Sequence, residues 1–172
     1  MSTIVQEQNS DLNLRLLCAQ SCLYSRAKRT RAWHTSVVVF IALLSPLFLA
    51  MPDAVKITTG ILGGIVTLGG VLMEMIETAQ LKQAATVQEE FDTNLFKLPW
   101  NRIAVGNKVD AEIIRAADRR FKGDRGKKCD WYPDPRPLPY PLDVLVCQRA
   151  NLVWDSQLRR AYGSLLVVST IL

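Results

Sequence analysis

A chain of 172 residues with a net charge of +5 has room for one or two modest domains, with 49% apolar and 22% charged residues. No basic block is interleaved with aromatics, so the positive balance excludes a nucleic-acid partner and points to an anionic membrane surface. Four cysteines (Cys18, Cys22, Cys129, Cys147) and one histidine (His34) supply no second ligand pair at metal spacing, so neither a zinc centre nor another cofactor is expected.

In chain order, residues 1–13 are polar and expected to fray. From Leu14 a helical pattern begins, with Leu16, Leu17, Leu23 and Tyr24 apolar and Arg26, Lys28, Arg29 and Arg31 in its later turns. Cations concentrated before an apolar run place that end in the cytoplasm, and Trp33 and His34 sit where an interfacial anchor belongs.

Residues 32–52 contain no Lys, Arg, Asp or Glu, and neither do residues 57–73. A helix rises ~1.5 Å per residue, so about 20 residues cross a hydrocarbon core of about 30 Å. The first run meets that length, and the second reaches it with Ala54, Val55 and the snorkelling stem of Lys56. Only Asp53 and Lys56 are charged in the break between them, which predicts a tight turn facing outward over residues 52–56. Pro46 removes one backbone donor and is expected to kink the first span. Gly60 and Gly64 form a small-xxx-small pair on the second, suited to close helix packing within the chain or between copies in a homo-oligomer.

Beyond the second span, Ala84, Val87, Phe91 and Leu95 recur at helical spacing up to Pro99, predicting one helix from the bilayer into the cytoplasm, ending near Leu98. Val109, Ile113, Ala117 and Phe121 predict a short amphipathic helix capped by Asp110. The stretch WYPDPRPLPYP is expected to be extended, near polyproline II, with Trp131 and Tyr132 as its packing wall. A last helix runs from Leu142 into ten uncharged residues, too few to span. Without gaps, Cys18, Leu23, Arg31, Ala32, Trp33 and Val38 align with Cys147, Leu152, Arg160, Ala161, Tyr162 and Val167, as if a second unit of the same plan began there.

The fold class read from this pattern is an all-α membrane protein. Residues 1–31 form a cytoplasmic amphipathic basic helix, and 32–76 a transmembrane helical hairpin. Residues 77–162 form a mostly helical cytoplasmic segment with a Pro-rich loop, and 163–172 the start of a third transmembrane helix inside which the sequence stops. No nucleophile–base pair, glycine-rich phosphate loop or metal triad is present, which ranks an enzyme below a gated pore or a membrane-anchored receptor or scaffold. Gln88, Glu89 and Asp92 on the long helix, and Arg149, Asn151, Trp154 and Asp155 before the last run, are the candidate ligand or coupling residues. Arg149 and Asp155 are expected first of all to satisfy structural partners in QEEFD or SRAK.

Four segments together resemble a bacterial family, the four-transmembrane pore-forming effectors associated with SMODS-type nucleotidyltransferases. They are LRLLCAQSCLYSRAKRTR, VQEEFDTNLFKLPWN, WYPDP and CQRANLVWDSQLRRAY, in this order and at these positions relative to the spans. Family members continue through a third and a fourth span, which this sequence does not complete. The resemblance implies an effector of an anti-phage or biological-conflict system, a multi-pass protein of the inner membrane. On infection a partner nucleotidyltransferase makes a nucleotide second messenger, such as a cyclic nucleotide, and the effector perturbs the lipid bilayer.

Overall fold

The computed structural model describes the backbone of residues 3–49 and 52–171, and the side chains of these apart from 48, 49, 53–57, 162 and 165–171. Among the described residues six helices follow in order: α1 (Ile4–Glu7), α2 (Asp11–Leu49), α3 (Asp53–Phe96), α4 (Arg102–Val105), α5 (Ala111–Arg120) and α6 (Leu142–Ile171), with a 3₁₀ turn at Gly126–Lys128. No strand occurs among the described residues, and the chain is all-α as its apolar periodicity requires.

α2 and α3 form an antiparallel hairpin. Tyr24 Oη donates to Gln88 Oε1 at 3.2 Å, Thr30 Oγ1 to Gln80 Oε1 at 3.0 Å, and Arg31 pairs with Glu77 at 2.5 Å. Closer to the turn His34 lies against Gly70, where an added Cβ would meet Nε2 at 3.2 Å. Both helices are long and apolar enough to cross a membrane, and none of the apolar window of either is buried. Phe40, Leu43, Leu47, Ile61, Leu68 and Leu72 are exposed. A core helix of a soluble domain would be covered on those faces, whereas a helix with lipid for solvent need not be.

α2 passes through Pro46 without ending. Pro46 has no N–H for the carbonyl of Ala42, and Ser45 Oγ donates to that carbonyl instead, at 2.9 Å. A side-chain hydroxyl thus replaces the missing backbone donor inside an apolar stretch. Residues 53–56, expected in the turn, are already helical: Pro52 caps α3, which begins at Asp53, and residues 50 and 51 lie outside the described residues.

The other end of the hairpin carries a packed head. Leu16, Leu17, Ala19 and Leu23 of α2 face Ala84, Val87, Phe91 and Leu95 of α3, and Ile114, Ala117, Tyr132, Val144 and Cys147 close over them. The N-terminal segment does not fray as its polarity suggested. Ile4 and Gln8 are buried against this core, and Asn13 Nδ2 donates to the carbonyl of Glu7 at 2.8 Å, holding α1 onto the start of α2. Asp110 caps α5 by accepting from the backbone N–H of Glu112 at 2.7 Å. The face of α5 is as expected at Ala117, which is buried, and at Val109, which packs on the core, but it is turned so that Ile114 is buried in place of Ile113, which is 40% exposed.

α3 ends where expected, at Phe96, with Lys97 left-handed at φ 56° and the N–H of Leu98 bonded back to the carbonyl of Thr93 at 3.0 Å. Pro99 then forbids continuation. The Pro-rich stretch is not one extended segment. It turns twice, with the N–H of Leu138 on the carbonyl of Pro135 at 3.0 Å and that of Leu142 on Pro139 at 2.9 Å. Tyr132 and Pro135 are buried, while Trp131 stays partly exposed beneath the Lys128 ammonium, 5.2 Å from its ring centroid. α6 remains helical to Ile171. The third span expected over 163–172 lies, apart from Gly163 and Ser164, outside the described side chains, and Leu172 lies outside the described residues. Cys18 and Cys147 are both buried, but Leu23 is buried where its aligned Leu152 is 71% exposed, so the two aligned units pack differently.

Candidate functional site

α3 is a single helix of 44 residues, about 65 Å long at ~1.5 Å per residue. Its apolar half is exposed and its polar half anchors the head. At the head end three elements meet on one side chain. Tyr132, from the loop after α5, inserts its ring between Phe91 and Phe96 of α3, with centroids 6.1 and 5.2 Å away. Its hydroxyl donates to Asp92 Oδ1 at 2.6 Å and accepts from Asn151 Nδ2 of α6, also at 2.6 Å.

The backbone of Tyr132 is clamped as well. Gln8 Oε1 accepts from its N–H at 2.9 Å and Gln8 Nε2 donates to its carbonyl at 3.4 Å. Gln8 is 1% exposed, so both ends of its amide are satisfied where water cannot reach. Asn9 adds a second tie beside it, accepting from the N–H of Asp130 and donating to its carboxylate, both at 2.9 Å.

Burial pushes the Asp92 carboxyl up to about 6, against the hydrogen bond from Tyr132 and with help from the charge of Glu89. Burial and the neighbouring Asp92 push the Tyr132 hydroxyl above its ordinary value. The arrangement therefore holds one titratable carboxyl, partly desolvated, on a relay that ties α3 to α6. A phenol between a carboxylate and an amide is a positioning device rather than a nucleophile–base pair.

The structure thus brings Asp92 and Asn151 of the candidate residues together through Tyr132. Gln88 is turned to Tyr24 on α2, and Glu89 is half-buried beside Asp92. Asp155 pairs along its own helix with Arg159 at 2.8 Å, not with QEEFD or SRAK, and Arg149 and Trp154 are exposed. A Cβ added at Gly60 or Gly64 would meet nothing within 4 Å, so that face is not used by the first span. Tyr132 and Gln8 escaped the sequence reading as site residues. Only the WYPDP stretch signalled the first, and nothing local marks the second.

The SMODS-associating 4TM effector domain matches residues 2–172. A protein of Bacillus cereus (strain VD146), described as a probable CBASS effector molecule, is 32% identical over 175 residues, covering 98% of this chain and 59% of its own length. This chain therefore spans less than two thirds of that relative. No solved structure matches it. With the family domain aligned across nearly its whole length, the chain belongs to the SMODS-associating 4TM effector family.

Proposed function

We propose that the protein is an anti-phage membrane effector whose head receives a nucleotide second messenger and whose spans then permeabilise the inner membrane as a homo-oligomer. The observation that carries this reading is the continuity of α3 from the exposed apolar stretch into the buried core of the head. The name of the Bacillus cereus relative supports the effector role, and a cyclic nucleotide from a partner nucleotidyltransferase is the trigger that the family context favours. Arg149, Asn151, Trp154, Asp155, Gln88, Glu89 and Asp92 remain the candidates for sensing or coupling, with Asp92 and Asn151 foremost because Tyr132 joins them.

In this reading the N-terminus and the head are cytoplasmic and the turn around Pro52 faces outward, following the cations ahead of the first span. Cys129 is exposed, Cys18 and Cys147 are buried, and a Cys22→Ala background leaves Cys129 as the accessible thiol. In spheroplasts Cys129 should resist an impermeant maleimide and react after lysis, while a Pro52→Cys variant should react before it. Labelling of Cys129 on intact spheroplasts would reverse the orientation.

The effector reading is tested by dye uptake in cells that co-express the partner nucleotidyltransferase. Uptake should appear only with an active partner enzyme. In the oligomer, Gly60 and Gly64 supply the close-approach face, because helix association in lipid depends on packing rather than on a hydrophobic drive. Gly64→Leu should insert normally yet lose most dye uptake and shift crosslinked species to monomer, whereas Val71→Leu should preserve both. Retained uptake in a monomeric Gly64→Leu protein would rule out association through this face. No uptake from any variant under an active partner would favour a scaffold without a pore.

A further inference from the structure

A second feature of the head involves neither Arg31 nor Glu77. Between α2, α3 and α5 runs an open groove of about 840 Å³, within the size range of small-molecule sites, about 300–1,000 Å³. Four cations line it: Arg26 and Arg29 from α2, Arg120 from the end of α5, and Lys122 just beyond. No Asp or Glu is among its lining residues, and Trp33 and Met73 form its apolar floor toward the spans.

Convergence of unpaired cations from separate parts of the chain on one cavity separates this groove from an ordinary basic collar. Arg15, Arg31, Lys97, Lys108, Arg115, Arg125, Arg136 and Arg159 each hold a carboxylate. Among the described residues the four groove cations hold none, as is also true of Lys28, Lys82, Arg102, Arg119, Lys127, Lys128, Arg149 and Arg160, but the four alone among these line one cavity together. Membrane orientation accounts for Arg26 and Arg29 but not for the others, because cations act on topology within about 15–20 residues of a span end. Arg120 and Lys122 are brought to the groove by the docking of α5 on α2, which leaves four like charges uncompensated around one cavity. Such a field attracts a compact multivalent anion, and the guanidinium fork suits phosphate oxygens. The ring of Trp33 offers the apolar or aromatic body of the same ligand a surface to lie on.

We propose that this groove is a phosphate site, taking a ligand whose phosphate lies among Arg26, Arg29, Arg120 and Lys122 and whose apolar or aromatic part rests on Trp33. A lipid headgroup and a nucleotide share this chemistry. The proposal borrows from the functional reading only the placement of Trp33 near the bilayer surface, and its test measures binding with no permeabilisation step. A failure to form pores therefore leaves it standing.

The experiment uses the full chain in a maltoside detergent free of phosphate, with calorimetric titration by three probes: inorganic pyrophosphate, short-chain phosphatidylglycerol and cyclic di-AMP. Pyrophosphate should bind, and added salt should weaken that binding. Arg26→Gln combined with Arg120→Gln should weaken it about tenfold or more, since two charge-assisted contacts are lost. The control Arg102→Gln with Arg119→Gln makes the same charge change at exposed positions off the groove and should bind as the parent does. All four groove cations are exposed, so folding should survive. Arg29→Gln with Lys122→Gln is a second pair if the first melts early. Tighter binding of cyclic di-AMP than of the lipid, lost in the groove variants, supports the site with a nucleotide as occupant, and the reverse order supports it with a lipid headgroup. Absence of pyrophosphate binding, or equal loss in groove and control variants, overturns it.

Discussion

Phe91→Ala is expected to destabilise the head by about 3–5 kcal/mol, the usual cost of truncating a fully buried aromatic. Phe91 is 0% exposed, sits on the same face of α3 as Val87 and Leu95, and stacks nearly parallel to Tyr132 with planes 10° apart. Removing the ring empties the centre of the core and withdraws one wall from Tyr132, whose hydroxyl joins α3 to α6. The small head has few other large side chains to refill the space. Phe91→Leu, which restores most of the volume, should cost distinctly less.

Thermal unfolding in maltoside, followed by near-ultraviolet dichroism, measures both variants. Insertion should not change, because the apolar runs of α2 and α3 are untouched. The variant should therefore reach the membrane fraction, become protease-sensitive in the head, and lose triggered dye uptake. A Phe91→Ala protein that melts within about 1 kcal/mol of the parent would mean that the core does not close around α3.

Much of this architecture was legible locally. Two uncharged runs fixed the hairpin, Asp110 the start of α5, and Pro99 the end of α3, because each rests on a signal within one helical turn or one continuous stretch. What escaped depends on residues far apart in the chain. Gln8 and Tyr132 are 124 positions apart, and no periodicity in the polar residues 1–13 announces that one amide will clamp a distant backbone. The rotation of α5 has a similar cause: Ile113 and Ile114 are both apolar, and only the position of α2 decides which is buried. The prolines were read correctly as helix-breaking, but the stretch turns twice where an extended segment was expected. Asp155 found a nearer partner in Arg159, one turn along an exposed helix, where an i,i+4 pair forms without help from tertiary structure.

The second large effect is on pH dependence. The Asp92 carboxyl is pushed up from 3.8 to about 6 in the folded head, chiefly by burial. A carboxyl that holds its proton more tightly when folded stabilises the fold fully below its unfolded value, and that contribution is lost as pH rises through the folded value. Stability of the head should therefore fall between about pH 4 and 6, by up to about 3 kcal/mol at ~1.4 kcal/mol per pH unit, and level off above. Glu89 is the neighbouring charge on the same helix; the Cys147 thiol, pushed up to about 11 by burial, stays neutral across this window. Asp92→Asn keeps an oxygen to accept from Tyr132 but cannot ionise, so its melting curve should be flat over the window and lie above the parent at neutral pH. Tyr132→Phe acts in the opposite sense. It removes the O–H that favours ionised Asp92 and strands the Asn151 amide, so the fall should move to higher pH and the neutral protein should lose about 1–3 kcal/mol. Melts recorded across about pH 4–8 in phosphate-free buffers separate the three proteins. Parallel curves for parent and Asp92→Asn would show that some other group carries the pH dependence.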